Sequence, residues 1–303
     1  MRILITGATG LIGSELIRLS IERGWEVNFL SRQRKRIEEG NSQIRGFYWN
    51  PATSEIDIKC FEGVDAIVNL AGNNVAHRWT ERYKDAILDS RINSLRTLRH
   101  ALKRSGNTSI SHIISASAIG IYPSSLTKLY TEEGPFAQDF LGQVVQQWER
   151  EVDTFAAMDL SVTKLRIGLV LATEAGALAP MIKSVKSLTA APFGNGKQWQ
   201  SWIHCEDVAN MFMFCIEKKC KGVFNAVAPN PIIQKKLLKE VARSLRRPLI
   251  LPGAPKFLMK LILGEMVTLL FSSQRVSSKK IETLGFTFAH RTINSAIESL
   301  LSK

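Results

Sequence analysis

The strongest constraint on this chain lies in residues 1–13. A short apolar run, Arg2-Ile-Leu-Ile-Thr6, leads directly into Gly7-Ala-Thr-Gly-Leu-Ile-Gly13. Apolar residues then recur at Leu11, Ile12, Leu16, Ile17 and Ile21 with helical spacing. Strand, glycine-rich turn and helix in that order are the context of a dinucleotide fingerprint. Gly7 permits the tight turn, Gly10 lets backbone approach a pyrophosphate, and Gly13 lets the helix pack close on the sheet. The phosphates would rest on the free N–H groups of the helix N-terminus, where the dipole favours an anion. Gly7, Thr9, Gly10, Leu11, Ile12 and Gly13 are therefore the candidate cradle.

The rest of the N-terminal half continues the alternation. Strand-like runs are expected at 25–30, 46–49, 65–70, 111–115 and 163–171, with helices over 11–23, about 80–103 and 139–155. This predicts an α/β Rossmann-type, doubly wound parallel sheet. Beyond about residue 172 the pattern changes to an Ala- and Ser-rich stretch, a Gly/Asn loop and a mainly helical tail broken by Pro248, Pro252 and Pro255. The expected organisation is a dinucleotide-binding domain over 1–172, its sheet completed by a strand at 223–227. A smaller, mainly helical substrate-side region would cover 173–303, with a small C-terminal domain over about 248–301.

Composition narrows the function classes. The four cysteines, Cys60, Cys205, Cys215 and Cys220, form no CxxC pair, and the five histidines form no ligand spacing, so no metal site is expected. Scattered thiols fit a reducing, cytoplasmic setting. Met1–Thr6 runs straight into the turn and leaves no room for a secretory signal. The apolar stretch Phe257–Phe271 carries Lys260 and Glu265 and is shorter than the roughly 20 residues a membrane span needs. It reads as a core or interface helix. The net charge of +13 is dispersed over several clusters without interleaved aromatics, so nucleic acid is set aside as a partner. A small molecule is the expected partner, and a homodimer is an open alternative.

The turn Thr6-Gly-Ala-Thr-Gly-Leu-Ile-Gly13 resembles that of the extended branch of the short-chain dehydrogenase/reductase superfamily. Further motifs are Asn69-Leu-Ala-Gly72, Arg78-Trp79, Trp148-Glu149, Arg166-x-Gly-x-Val-Leu171, Pro192-x-Gly-x-Gly-x-Gln198, Trp202-Ile-His-x-x-Asp207, Phe224-Asn225 and the tail Gly264-Glu265, Gln274-Arg-Val276 and Leu284-Gly-Phe286. In combination they resemble an atypical group, the epimerase-family or sugar-nucleotide-epimerase-like proteins, which carry a small C-terminal domain of unknown function. The resemblance implies that Asn69, Leu70, Ala71 and Gly72 pass under the cofactor, that Arg91 reaches toward its phosphates or nicotinamide ribose, and that Val170 touches the nicotinamide. In the extended branch an acidic residue at the end of the second strand holds the adenosine ribose of NAD. Here Ser31 and Arg32 stand there, followed by Arg34, Lys35 and Arg36. With no carboxylate for a ribose hydroxyl and cations for a 2′-phosphate, the expected cofactor is NADP(H).

The same resemblance places a catalytic serine at Ser117 and calls for Tyr-x-x-x-Lys one helix later. Whether Phe140 or Leu141 takes the tyrosine position, the fourth residue on is Val144 or Val145, and the stretch 139–149 holds neither Tyr nor Lys. A phenyl or isobutyl group carries no proton. Ser117, Tyr122, Arg166, Trp202, His204 and Asp207 are the remaining candidates near the expected nicotinamide end, with Ser117 and Tyr122 taken for the chemistry. His204 and Asp207 are read as helix-capping or domain-joining residues. Two functions stay open: an NADP(H)-dependent oxidoreductase or epimerase-like enzyme without the usual dyad, and a non-catalytic NADP(H)-binding sensor or scaffold.

Overall fold

Strands buried on both faces read as continuous apolar runs, and Ile3, Leu4, Ile5, Ile67, Val68, Ile113 and Ile114 are all fully buried. The computed structural model describes residues 1–38, 41–106 and 109–302. Its strands are β1 Arg2–Thr6, β2 Glu26–Ser31, β3 Ile44–Asn50, β4 Glu55–Ile56, β5 Ala66–Asn69, β6 His112–Ala118, β7 Leu129–Tyr130, β8 Ser161–Ile167, β9 Leu169–Leu171, β10 Trp199–Gln200, β11 Trp202–His204, β12 Gly222–Ala226, β13 Ile232–Ile233 and β14 Arg275–Val276. The helices are α1 Leu11–Glu22, α2 Arg34–Glu38, α3 Glu81–Ser105, α4 Phe140–Asp153, α5 Leu178–Lys186, α6 Cys205–Glu217, α7 Gln234–Ser244, α8 Lys256–Leu263, α9 Val267–Phe271, α10 Lys279–Thr283 and α11 Ile293–Leu301.

Eight strands form the main sheet in the order β12-β8-β6-β5-β1-β2-β3-β4. All its pairings are parallel except β3 with β4. The chain leaves β1 in one direction through α1 to β2 and β3, and returns to the other side of β1 through β5, α3 and β6. Right-handed crossovers then put the two sets of helices on opposite faces. α1 packs with α6, and α3 with α4. The strand order reverses between β1 and β5, and the crevice outside their carboxyl ends is where an open α/β sheet takes a ligand.

The expected strand over 163–171 is two strands. Gly168 lies against the Ser201 carbonyl, and after it the chain leaves the main sheet, so that β9 pairs with β11 instead. The strand expected at 223–227 is β12, on the sheet edge beside β8. β11 and α6 contribute Ile203, Val208 and Phe212 to the Rossmann core, so the region after 172 is interleaved with the first layer. A second core gathers Leu178, Val185, Trp202, Leu237, Val241 and Ile297 from α5, β11, α7 and α11. The stretch 257–271 is not one helix: it breaks at Gly264, whose φ of 60° and ψ of −140° are open to glycine and few other residues, and of its residues Met266 and Val267, after the break, are buried. α8 buries none of its residues. Among the described residues no helix is long and apolar enough to cross a membrane.

His112, at the start of β6, is buried with Nε2 2.8 Å from Thr163 Oγ1. Burial pushes its pKa down to about 4. The folded state therefore binds fewer protons than the unfolded state, and the stability this group contributes is complete above its ordinary value and lost as pH falls toward about 4. Urea titrations should show that His112→Gln loses about 3 kcal/mol less than the parent between neutral pH and about pH 4. Parallel pH profiles for the two proteins would remove the assignment.

Candidate functional site

The crevice at the carboxyl ends of β1 and β5 is built around one hydroxyl. Thr6 Oγ1 donates to Asn69 Oδ1 at 2.8 Å and accepts from the backbone N–H groups of Leu70 and Ala71, each at 3.1 Å. Asn69 Nδ2 donates in turn to Ser115 Oγ at 2.9 Å. Adjacent strand ends are thereby locked, and the Asn69 side chain serves this scaffold while Leu70, Ala71 and Gly72 border the opening. Thr6 opens the turn motif, but only the pairing of β1 and β6 with β5 reveals the role of its hydroxyl and of Ser115.

Gly7 turns the chain at φ 68°. Gly10 is the N-cap of α1, with φ −82°, ψ 172° and no side-chain cap; no acidic residue stands in the first turn. The unbonded N–H groups at this end are left for an anion. A methyl on Gly13 would lie 2.3 Å from Gly7 O and 2.7 Å from Ala8 Cα, whereas one on Gly10 would meet only Gly7 O at 3.2 Å. Gly13 is thus needed by the fold, while Gly10 has a single close neighbour.

At the end of β2, Ser31 Oγ accepts from the Gln33 N–H at 3.0 Å and is buried; Arg32 is exposed. Arg34 lies over the Tyr48 ring at 4.7 Å. Arg36 lines one concavity together with Ala8, Thr9, Ser14, Ile17, Phe29 and Ile44, and no carboxylate is among them. Sequence order gave Arg36 no priority over its neighbours; the turn of α2 singles it out. Arg91, on α3, donates to Ile87 O at 2.7 Å and Asn73 O at 3.2 Å. It lies over the Trp148 ring at 5.0 Å and against Gly72. Burial pushes its pKa down to about 10, so it stays charged at neutral pH.

Val170 is half-buried in β9, and its carbonyl and the Leu11 side chain both border Gly176, which brings the loop after β9 onto the glycine turn. Phe140 packs edge-on to Trp79, ring centroids 5.2 Å apart. Ser117 and Tyr122 are placed differently from an open reacting centre. Ser117 is 3% exposed and donates to Glu149 Oε1 at 2.6 Å. Arg166 donates to both oxygens of Glu149, at 2.8 and 2.9 Å. Arg166 Nη1 also reaches Tyr122 OH at 2.9 Å and Glu132 O at 2.8 Å, and Tyr122 OH donates to Asn225 Oδ1 at 2.7 Å. Tyr122 is 0% exposed, and burial pushes its pKa up to about 12. Burial alone would lower the pKa of Arg166, but its bonds to Glu149 hold it above the usual arginine value. Ala118, half-buried at the end of β6, offers only a methyl.

His204 caps α6, its Nδ1 accepting from the Glu206 N–H at 3.1 Å. Asp207 accepts from the N–H groups of Ala289 and His290 at 2.8 and 3.0 Å. The two residues cap and join, as expected. His204, Glu206 and His290 do come together, with one possible ligand atom from each all within 4.8 Å of one another, a grouping histidine spacing does not show. The Nδ1 acceptor role puts the His204 proton on Nε2, which removes that nitrogen as a metal ligand in this arrangement.

A family model described as the NAD dependent epimerase/dehydratase family matches residues 3–226, from β1 to the end of β12. The chain belongs to that family. A second model, a domain of unknown function (DUF1731), matches residues 254–300. Epimerase family protein YfhF of Bacillus subtilis is 36% identical over 304 aligned residues, covering 100% of this chain and 98% of the relative. The crystal structure of human epimerase family protein SDR39U1 with NADPH is similar at a TM-score of 0.85 and 25% identity, covering 100% of both chains. A nucleoside-diphosphate sugar epimerase from Corynebacterium glutamicum is similar at a TM-score of 0.79 and 27% identity, over 99% of this chain and 58% of that one. The epimerase/dehydratase match covers every cradle residue named above, and the DUF1731 match covers α8 to α11.

Three outcomes follow for this family member. Gly13→Ala is expected to cost about 3 kcal/mol of stability in urea melts. Gly10→Val should stay folded by circular dichroism yet lose cofactor binding by titration; joint loss of fold and binding would make Gly10 structural too. Arg166→Met should cost about 3–5 kcal/mol, because it leaves the Glu149 charge buried without its partner. Adding Glu149→Leu should restore part of that loss, and a strictly additive double variant would show that the pair is not energetically coupled.

Proposed function

We propose that the protein is an NADP(H)-binding oxidoreductase of the epimerase/dehydratase family, in which hydride passes between the nicotinamide and a small carbonyl compound or its alcohol without a Tyr-Lys proton donor. The observation that carries the reading is the adenosine end of the crevice. Arg36, Thr9 and Ser14 line it, none of its described lining residues is a carboxylate, and Arg32, just after β2, is exposed. A 2′-phosphate supplies the charge that such a lining complements, whereas the ribose diol of NAD is best held by a carboxylate. The human relative, 25% identical, is described with NADPH, which supports the same choice. The Gly10 turn would take the pyrophosphate and Val170 would border the nicotinamide.

A second reading rests on its own observation. Ser117 and Tyr122 spend their protons inside the protein, on Glu149 and Asn225, and α4 contains neither Tyr nor Lys. A cofactor-dependent sensor or scaffold without turnover needs no acid at this place. Incubation with NADPH and a panel of carbonyl compounds and nucleotide sugars, followed at the nicotinamide absorbance and for epimer formation, separates the two. Turnover supports the enzyme; tight NADPH binding with none across the panel supports the sensor.

Fluorescence titration should show NADPH binding at least about tenfold tighter than NADH, since a charge-assisted hydrogen bond contributes about 1.5–3 kcal/mol. Arg36→Ala should erase most of that preference and Arg32→Ala less of it. Equal affinities of the parent protein for the two cofactors would sink the NADP(H) assignment.

A further inference from the structure

α8 inverts the usual arrangement of a surface helix. Six of its eight residues are Phe257, Leu258, Met259, Leu261, Ile262 and Leu263, yet none is buried. At about 100° per residue, Met259 and Leu263 share one side, with Lys256 and Lys260 next to them. Phe257, Leu258, Leu261 and Ile262 fill the opposite arc. Met259 and Leu263 are the half-buried pair, and Leu263 packs on the cluster of Trp79 and Met266. The side against the protein is therefore the narrow one. The outward arc is apolar: Phe257 is 71% exposed, Leu261 74% and Ile262 69%. Ordinary surface helices turn that arc inward. Ile250 and Leu251, just before the helix, are exposed as well.

Charge accompanies the apolar arc. From Val241 to Gly264 the chain carries Arg243, Arg246, Arg247, Lys256 and Lys260, and no carboxylate; all five cations are exposed. Arg243 pairs with Glu240, and the next acid, Glu265, is taken by Lys84 at 2.6 Å. Outward apolar side chains flanked by lysines are the pattern of a helix that lies in a lipid interface. We propose that α8 docks the protein on an anionic lipid surface, with Phe257, Leu258, Leu261 and Ile262 entering the headgroup boundary and the neighbouring cations meeting lipid phosphates. A second copy of the chain is the poorer occupant. It would bring the same five cations to the same face of a molecule whose net charge is already +13.

Co-sedimentation of the full chain tests this, with vesicles of phosphatidylcholine alone and of phosphatidylcholine mixed with phosphatidylglycerol. Binding is expected only to the mixed vesicles, weakening as salt is raised. The variant Phe257→Ser, Leu261→Ser, Ile262→Ser should lose it while keeping the parent's circular dichroism and Tm, because these side chains point outward. Lys256→Glu with Lys260→Glu should lower partitioning about tenfold. If the serine variant melts early, the lysine pair decides alone. The proposal is overturned if the parent ignores anionic vesicles, if the serine variant binds them as the parent does, or if the lysine pair leaves partitioning unchanged. A dimer in light scattering that the serine variant abolishes would make a second copy the occupant, and would overturn it as well.

Discussion

The arrangement of the sheet's carboxyl side depends on one buried guanidinium. Arg166 comes from β8, its carboxylate partner Glu149 from α4, and its remaining acceptors from Tyr122 and the Glu132 carbonyl in the segment after β6. An ion removed from water costs several kcal/mol unless its partner and its hydrogen bonds are in place together. That requirement ties a strand, a helix and a loop into one geometry. Asn225 of β12 adds the sheet edge through Tyr122, and Glu132 Oε1 accepts the Asn225 N–H at 2.8 Å. Replacing any one of these groups leaves another without a partner, so the cluster holds as a unit.

The network also accounts for the character of the crevice. Ser117 lies on the face of β6 that meets α4, and its hydroxyl completes the shell of Glu149. Polar chemistry at the end of β6 and along α4 is used for cohesion between layers. Beside it stand a methyl at Ala118, at the end of β6, and the phenyl of Phe140, the first residue of α4, packed on Trp79. The features to which the proposal assigns an anion are untouched by this: the uncapped start of α1, the Arg36 concavity and the positively charged Arg91. In the proposed reading, cofactor binding and proton supply are separable properties of the scaffold, and the hydroxyls of Ser117 and Tyr122 are engaged within the protein.

The residues that carried the fold in the sequence were those whose meaning is local. Gly7, Gly10 and Gly13 with their flanking strand and helix mark α1 because turn, cap and close packing lie within a few residues of one another. His204 and Asp207 were legible as capping and joining groups for the same reason, although Asp207's partners, Ala289 and His290, were not. Ser117 and Tyr122 were nameable but not interpretable. Their partners Glu149 and Asn225 are remote in the chain, and no period connects them. Arg36 needed the turn of α2 to separate it from Arg34, which goes to Tyr48 instead. The stretch 257–271 reads as one core or interface helix, and the structure divides it: Met266 and Val267 are buried, while α8 is not. Gly264 breaks the helix, and the narrow contact through Met259 and Leu263 leaves the rest of the arc outside.

Under the proposed oxidoreductase reading, a crevice of this composition would restrict how a carbonyl is reduced. Hydride addition leaves negative charge on oxygen, and a positioned acid at that oxygen commonly supplies roughly 10²–10⁴ in rate. Tyr122 cannot supply it from its present place: its proton is held by Asn225, and its pKa of about 12 sits well above neutral pH. Electrostatic stabilisation is a different resource, since preorganised donors and fixed cations lower the energy of a developing anion without releasing a proton. Arg91, which remains protonated with a pKa near 10, would be a fixed cation of that kind, the start of α1 being assigned to the pyrophosphate. In the proposed reaction the proton then comes from water or from the substrate's own acidic group after hydride has moved. That division suits substrates whose reduced form is already a stabilised anion better than simple ketones, because for them the missing phenol removes the least driving force.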